Sequence, residues 1–253
     1  MPPLATRHTP LMISVHGVTR QPIEHLQAFA PIAARAGAAL LVPYFSETQH
    51  RRYQQLVHPR RGERADLALI DMVTGVASHH GLQCARWHLF GYSGGAQFVH
   101  RFAMLHPQRV AALGIGAAGW YTLPDATLPY PQGLQGTEFL SGRALEMSQF
   151  LRLPIRVWVG ERDDVPDRHL REDPVIAAGQ GTHRIARARH WVAAVEAAAK
   201  SRGFAANIAL ELLPRAGHSF VRCVERGGMA QKVASFFFGA SGTDAGAFLQ
   251  DAS

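Results

Sequence analysis

Cysteine is scarce in this 253-residue sequence, which contains only Cys84 and Cys223, far apart in the chain. Two distant thiols do not imply a disulfide framework, and neither lies in a Cys-x-x-Cys motif or in a Cys/His cluster of the kind that binds zinc. We therefore interpret both as structural thiols. The sequence predicts a protein of the reducing cytoplasm that holds no metal ion and needs no cofactor.

Long hydrophobic runs are missing as well. The longest apolar stretch, Val110 to Trp120, is interrupted by glycines and is too short to span a bilayer. The first ten residues include Pro2, Pro3 and Pro10 and contain no separate apolar region, so no signal peptide is predicted. From these absences we expect no membrane partner.

Lysine is nearly absent, since Lys200 and Lys232 are the only two, and the net charge of +7 therefore comes from arginine. The arginines are scattered apart from a local concentration between residues 51 and 64. Nucleic-acid binding needs a basic stripe with interleaved aromatic residues or a known binding module, and the sequence has neither. We interpret the charge as a solvated surface and predict no nucleic-acid partner.

The sequence does contain six short apolar runs that alternate with segments of helical spacing. The runs predict strands at 11–15, 38–45, 85–90, 109–120, 155–159 and 208–213, with helices at 23–36, at 63–80, after residue 93, from a cap at Thr182 to about 203, and up to 238. This alternation predicts an α/β fold with a mostly parallel sheet of about six strands and helices on both faces.

We expect the whole chain, residues 1–253, to be one domain with its core at 11–238. A short excursion follows the strand that ends at Trp120, and residues 122–150 of this excursion are a candidate lid. Residues 165–182 are predicted to be a polar loop. The small and polar residues 239–253 are expected to form a loose tail.

The pentapeptide Gly91-Tyr92-Ser93-Gly94-Gly95 stands between a predicted strand and a predicted helix. In that context Gly-x-Ser-x-Gly is typical of a nucleophile elbow, a sharp turn that holds the serine in a sparsely populated backbone conformation and exposes its Oγ. The glycines two positions before and after the serine are needed because strand and helix pass too close for a Cβ. We predict that Ser93 is a nucleophile; the alternative is an ordinary glycine turn.

A serine hydroxyl needs a base to remove its proton, and histidine is the residue best suited to this near neutral pH. Among the fourteen histidines, His218 follows the last strand in Ala-Gly-His-Ser-Phe, and we predict that it is the base. A carboxylate should orient that base. Asp163 and Asp164 both follow the fifth strand; we favour Asp163 and keep Asp164 as the alternative.

The oxyanion of an acyl-transfer reaction needs two N–H donors. Gly94, at the N-terminus of the helix after the serine, is the first predicted donor. The second is expected from the loop after the first strand, at Val18 or alternatively at Gly17. His16, which precedes that turn, is expected to support the loop and not to act as a base.

The substrate pocket is predicted to include Tyr92, Trp120 and Tyr121, the last two as an apolar wall. The loop 46–61 follows a strand end and should rim the same site, because loops after the carboxyl ends of parallel strands form the site in such sheets. Two interpretations of its four arginines remain open, namely a preference for acidic or polar acyl esters and a solvated rim without a substrate role. These arginines are Arg51, Arg52, Arg60 and Arg61.

Over residues 11–238 the chain resembles the α/β-hydrolase family. The resemblance depends on four motifs that occur in the family's order, which are His16-Gly17, Gly91–Gly95, Gly160–Asp163 and Gly217-His218. Within the family the chain looks most like compact esterases and the polyhydroxyalkanoate-depolymerase-like group. The family often begins with two further antiparallel strands, and only ten residues precede the first predicted strand, so those strands are expected to be absent.

The sequence as a whole therefore predicts a metal-independent serine hydrolase that cleaves a carboxylic ester, either a small molecule or an oligomer, through an acyl-enzyme intermediate. Amide or peptide hydrolysis on the same triad is one alternative. A catalytically silent hydrolase fold used for binding is the other.

Overall fold

Six parallel strands form one sheet in the computed structural model, which describes residues 6–57, 64–142, 145, 147–165, 170 and 173–239. The strands lie side by side in the order β2-β1-β3-β4-β5-β6. Their bounds are β1 Leu11–Val15, β2 Ala39–Leu41, β3 Trp87–Tyr92, β4 Val110–Gly116, β5 Ile155–Gly160 and β6 Ile208–Leu213. Every pairing within the sheet is parallel, which confirms the predicted α/β class.

Helices fill the connections between the strands. They are α1 Pro22–Arg35, α2 Ala65–His80, α3 Gly94–Leu105, α4 Glu138–Ser141, α5 Met147–Phe150, α6 Pro174–Gln180, α7 Arg184–Lys200, α8 Phe220–Glu225 and α9 Met229–Phe238. Two single 3-10 turns occur at Tyr53–Gln55 and Pro107–Arg109. Within the described ranges, no helix combines the length and the apolar character needed to cross a bilayer.

The helices cover both faces of the sheet, as predicted. Successive side chains of a strand point to opposite faces, so the side chains of Trp87 and Phe90 in β3 lie on opposite faces of the sheet. Trp87 packs on Phe102 of α3 with ring centroids 5.7 Å apart, and Phe90 packs on Phe29 of α1 at 5.2 Å. Helix α1 also contacts α8 and α9. Helix α3 therefore covers one face, and the other face carries α1, α8 and α9.

Two strands are shorter than predicted. Strand β2 ends at Leu41 instead of residue 45, because Pro43 has no N–H to donate and the N–H of Phe45 bonds to His16 Nε2. Strand β4 ends at Gly116 instead of residue 120, because Ala117 has a φ of +46° and turns the chain out of the sheet. The remaining strands lie within about two residues of their predicted bounds.

Helix α6 lies inside the stretch that the sequence predicted as a polar loop, 165–182. The carboxylate of Asp173 accepts hydrogen bonds from the backbone N–H groups of Val175 and Ile176, at 3.0 and 3.4 Å, and so caps the helix. Pro174 occupies its first position, which proline favours. Because most of the stretch is polar, its composition predicted a loop, and the helix start at Asp173-Pro174 was missed.

The predicted bounds of the last helices also need correction. Helix α7 is capped by His183, whose Nδ1 accepts from the N–H of Ala186, and not by Thr182. The final helix is two helices, because the chain turns at Gly227-Gly228 and Gly228 has a φ of +65°.

Among the described residues of 122–150, the excursion after β4 contains two single-turn helices, α4 and α5. Its first part is fastened to the body of the protein, since Tyr130 Oη donates to the carbonyl of Gln55 at 2.7 Å. Residues 143, 144 and 146 of the candidate lid lie outside the described residues, as do Arg60, Arg61 and the tail from residue 240. The lid stays a prediction.

Candidate active site

Ser93 lies in the sharp turn between β3 and α3. Its φ of 54° and ψ of −111° fall in a sparsely populated region for a residue with a Cβ, where a backbone conformation costs about 1–3 kcal/mol. The N–H of Ser93 donates to the carbonyl of Gly116 at 2.7 Å, which ties the turn to the end of β4. The surrounding sheet therefore holds the serine in a strained conformation.

The two glycines that flank the turn are required by close backbone contacts. A Cβ on Gly91 would overlap the carbonyl of Gly95, and a Cβ on Gly95 would overlap the carbonyl oxygen of Val15. Strand β3, helix α3 and strand β1 thus meet where no side chain fits. This is the steric reason that the sequence motif suggested.

A continuous chain of hydrogen bonds leads away from Ser93. The Oγ of Ser93 lies 3.1 Å from Nε2 of His218, and Nδ1 of His218 lies 3.0 Å from Oδ2 of Asp163. Ser93 follows β3, Asp163 follows β5 and His218 follows β6, all at the carboxyl edge of the sheet. The structure therefore brings together the three residues that the sequence predicted as nucleophile, acid and base.

Asp163 has a second partner that the sequence did not reveal. Arg184, the first residue of α7, donates from a guanidinium nitrogen to Asp163 Oδ1 at 3.0 Å, and both side chains are 1% exposed. The adjacent Asp164 is exposed. Of the two rival aspartates, Asp163 is the one in contact with His218.

The imidazole of His218 stacks on the ring of Tyr92, with centroids 5.5 Å apart. The hydroxyl of Tyr92 lies 3.5 Å from the thiol of Cys223. Burial raises the pKa of the Tyr92 hydroxyl well above its usual value, and burial also raises the pKa of the Cys223 thiol. The wall behind His218 therefore stays uncharged near neutral pH.

The two predicted oxyanion donors are neighbours across the turn. The point at which a Cβ on Gly94 would stand is 3.1 Å from the backbone nitrogen of Val18 and 2.6 Å from its Cγ1. The corresponding point on Gly17, the alternative donor, is 4.0 Å from Ser93 Oγ. The loop after β1 thus lies directly against the N-terminus of α3.

Hydrogen bonds of His16 hold this loop in place. Nε2 of His16 accepts from the N–H of Phe45 at 3.1 Å, so the proton is on Nδ1, which donates to the carbonyl of Gly17 at 2.8 Å. Burial lowers the pKa of His16 and favours this neutral form. Tyr53 Oη donates to the carbonyl of His16 at 2.7 Å. His16 supports the loop, as the sequence led us to expect.

Proteins similar to this chain occur among solved structures. No protein-family model and no curated protein sequence matches the chain. Among solved structures, the chain is similar to LpqC, a poly(3-hydroxybutyrate) depolymerase from Bordetella parapertussis, with a TM-score of 0.76 and 27% identity over 94% of this chain and 83% of that one. It is also similar to poly(aspartic acid) hydrolase-1 from Sphingomonas sp. KT-1, with a TM-score of 0.74 and 26% identity over 91% and 88% of the two chains. The chain therefore has the α/β-hydrolase fold.

A more distant structure supports the same fold. The S-formylglutathione hydrolase of Agrobacterium tumefaciens matches 92% of this α/β hydrolase and 87% of its own chain, with a TM-score of 0.59 and 14% identity. None of the described residues before β1 forms a strand, so the described sheet of this hydrolase consists of the six parallel strands.

The predicted apolar wall of this hydrolase is buried in its core. Tyr121 is fully buried and stacks on Trp191 of α7 with ring centroids 4.9 Å apart. Trp120 is 3% exposed and lies beneath the guanidinium of Arg101 at 4.3 Å. A substrate-facing wall formed by Tyr121 is therefore wrong for this structure, since the chain turns inward after Ala117.

The arginines of the rim are partly neutralised. Glu47 pairs with Arg20 at 2.6 Å and with Arg51 at 3.3 Å, so the loop that begins at residue 46 contributes its own negative charge. Arg52 is exposed. Within the residues that the structure describes, no three His, Cys, Asp or Glu side chains are grouped as metal ligands.

Proposed function

We propose that this α/β hydrolase is a serine hydrolase that cleaves carboxylic esters through an acyl-enzyme intermediate. The observation that supports it best is the unbroken hydrogen-bond chain from Ser93 Oγ through His218 to Asp163. The strained turn at Ser93 and the adjacent N–H groups of Gly94 and Val18 complete the set of groups that acyl transfer requires.

Each group has one task in the proposed reaction. His218 Nε2 takes the proton of Ser93 as Oγ attacks the ester carbonyl, and Asp163 stabilises the imidazolium that forms. The N–H groups of Gly94 and Val18 donate to the oxyanion of the tetrahedral intermediate. The alcohol leaves with the proton from His218, and the acyl group stays on Ser93. Water, deprotonated by the same histidine, then attacks the acyl carbonyl. The bond to Ser93 Oγ breaks, Oγ takes the proton back from His218, and the acid is released.

The relatives indicate the breadth of substrates to consider. One is named as a depolymerase of poly(3-hydroxybutyrate), which is a polyester, and the other as a hydrolase of poly(aspartic acid), whose units are joined by amide bonds. The proposed substrate is therefore an ester, either small or oligomeric, and amide hydrolysis on the same triad is the second candidate. Nucleic acid and membrane are not among the proposed partners.

A fluorophosphonate probe tests the nucleophile without knowledge of the substrate. We expect intact-protein mass to show one adduct, which is lost in Ser93→Ala and kept in the control Ser201→Ala, at the exposed end of α7. Ester turnover in Ser93→Ala should fall on the order of a millionfold. An adduct that survives Ser93→Ala would place the nucleophile elsewhere, and a folded protein that takes no label would favour the binding-protein alternative.

A panel of esters graded by acyl length, each with its matched amide, tests the reaction class. We expect turnover of esters to exceed that of the matched amides. Faster turnover of an amide than of its ester would favour the second candidate.

A further inference from the structure

We infer that Arg184 is a positioning residue that holds Asp163 ionised and aimed at His218 throughout the reaction. This inference rests on the proposed function, because it gives Asp163 the role of the orienting acid. Arg184 touches neither Ser93 nor the oxyanion donors in the described contacts, so its effect on the reaction passes through Asp163.

The two oxygens of the Asp163 carboxylate have different partners. Oδ1 accepts a hydrogen bond from Arg184 Nη1 at 3.0 Å, and Oδ2 accepts one from His218 Nδ1 at 3.0 Å. With one oxygen fixed by the guanidinium, the carboxylate cannot rotate without breaking a charge-assisted hydrogen bond. Arg184 thereby restricts the rotation of the carboxylate whose Oδ2 contacts the imidazole.

The charge of Arg184 matters because the carboxylate is buried. Asp163 is 2% exposed, and a buried carboxylate is strongly disfavoured unless it is paired and hydrogen-bonded. In the proposed reaction His218 carries a positive charge only while it holds a proton taken from Ser93 or from water, so between these steps it cannot neutralise Asp163. Arginine stays protonated at any working pH, so Arg184 can neutralise the carboxylate of Asp163 throughout the cycle.

Two buried phenols lie near the ion pair of Arg184 and Asp163. Tyr92 and Tyr121 are close enough that burial and Asp163 both raise the pKa of their hydroxyls, while Arg184 lowers it. Both phenols are neutral under working conditions. They form an aromatic enclosure in which the attraction between Arg184 and Asp163 is weakly screened.

Arg184 is itself held firmly. It opens α7 directly after the capping residue His183, and one turn further on Arg187 donates to the carbonyls of Gly119 and Gly181. Trp191 Nε1 donates to the carbonyl of Thr122 at 2.9 Å. The start of α7 is therefore anchored to the segment that follows β4, which makes it a fixed support for the loop of Asp163.

A buried ion pair of this kind could serve stability alone, and a double-mutant cycle separates the two roles. The variants are Arg184→Met, Asp163→Asn and their combination. The readouts are the rate at which a fluorophosphonate acylates Ser93 and the kcat per labelled site, so that unfolded molecules do not count. Arg187→Met is the matched control, since it removes another buried arginine of α7 that bonds to backbone carbonyls.

We expect Arg184→Met to lower the acylation rate about 100-fold in the parent and less than about threefold when Asp163 is already asparagine. Arg184→Lys keeps the charge without the planar fork and should recover at least about tenfold of the loss. Arg187→Met should have the same effect on the rate in both backgrounds. If Arg184→Met does not fold, Arg184→Lys in the two backgrounds gives the same comparison, with about tenfold loss in the parent only.

Equal losses from Arg184 substitution in both backgrounds would overturn the inference, as would full activity per labelled site in Arg184→Met. Failure of the proposed function gives a different result. In that case the parent would carry no label at Ser93, or Asp163→Asn alone would react as fast as the parent.

Discussion

Oδ2 of Asp163 lies 3.0 Å from Nδ1 of His218, although the two residues follow different strands. Asp164, the next residue in the chain, is exposed. The backbone explains the difference, because the N–H of Asp163 donates to the carbonyl of Gly160 and so folds the turn after β5 inward. Gly160 has no Cβ, and one placed there would overlap the carbonyl of Ala216. The loops of Asp163 and His218 are thus in direct backbone contact.

The first prediction separates the two aspartates. Asp163→Asn keeps the shape of the side chain but favours the wrong tautomer of His218, so kcat should fall on the order of ten-thousandfold. Asp164→Asn should cost at most about tenfold. Steady-state kinetics on an activated ester, with thermal unfolding as a check on folding, measure both. A larger loss in Asp164→Asn at equal stability would move the acid by one residue.

The second prediction concerns the glycine that lets α3 pass β1. A Cβ on Gly95 would overlap the Val15 carbonyl, so Gly95→Ala should lower the free energy of unfolding by about 3 kcal/mol or more and abolish labelling of Ser93. Gly75→Ala is the control. A Cβ there, on α2, meets nothing within 4 Å, and alanine should stabilise that helix by about 0.5–1 kcal/mol. Urea denaturation measures the free energy of unfolding of both variants. Equal values for Gly95→Ala and Gly75→Ala would contradict the packing described for Gly95.

The third prediction tests the support of the oxyanion loop. His16→Phe fills a similar volume but leaves the N–H of Phe45 and the carbonyl of Gly17 without their partner. Because Gly17 and Val18 share a peptide unit, the Val18 N–H should lose its alignment, and kcat should fall about 10- to 100-fold with a smaller change in KM. His88→Phe, near the opposite end of β3, is the control and should keep kcat within about twofold. An unchanged kcat in His16→Phe would remove Val18 from the proposed oxyanion hole.

The fourth prediction is a loss of stability in acid that comes from buried neutral histidines. Burial lowers the pKa of His25 from 6.5 to about 3, and burial also lowers the pKa of His16 and His100. The unfolded chain binds these protons near pH 6.5 and the folded chain does not. Stability is therefore fully present above about pH 6.5 and falls by about 1.4 kcal/mol per pH unit for His25 alone as the pH drops toward about 3.

Chemical denaturation from about pH 4 to about pH 7.5 measures this slope. The matched variant is Ser14→Ala with His25→Phe, which removes both partners of the 2.7 Å bond between Ser14 and His25 and leaves neither unpaired. Its slope should be smaller than that of the parent. Parallel curves for the two proteins would show that His25 does not contribute.

Local sequence patterns were enough to predict the sheet and to name Ser93, Asp163 and His218, which the structure places in hydrogen-bonding contact. The elbow could be predicted because a Cβ at Gly91 or Gly95 would overlap neighbouring backbone. Only glycine fits at these two positions, so the elbow has a fixed spacing of glycines around the serine that can be recognised in the sequence. The same holds for His16-Gly17 and Gly217-His218, which follow buried strands at the edge where such strands end together.

The features that escaped prediction depend on contacts between distant segments. Arg184 is separated from Asp163 by 21 residues, and nothing in a run of arginines and alanines marks one arginine as the partner of a buried carboxylate. Tyr121 follows an apolar strand and was predicted at the site, but the left-handed turn at Ala117 sends it toward α7. A side-chain partner distant in sequence decided the first position, and a backbone turn at Ala117 decided the second.

The order of the strands also has a consequence for how the molecule is made. The bond between Ser93 and His218 closes a loop of 125 residues, and three further strands must pair beside β3 before it can form. Contacts of such long range form late and slowly in folding. A growing chain on the ribosome therefore carries an unpartnered Ser93 until β6 is complete, and the appearance of a probe-reactive serine during refolding would time the closing step of the whole sheet.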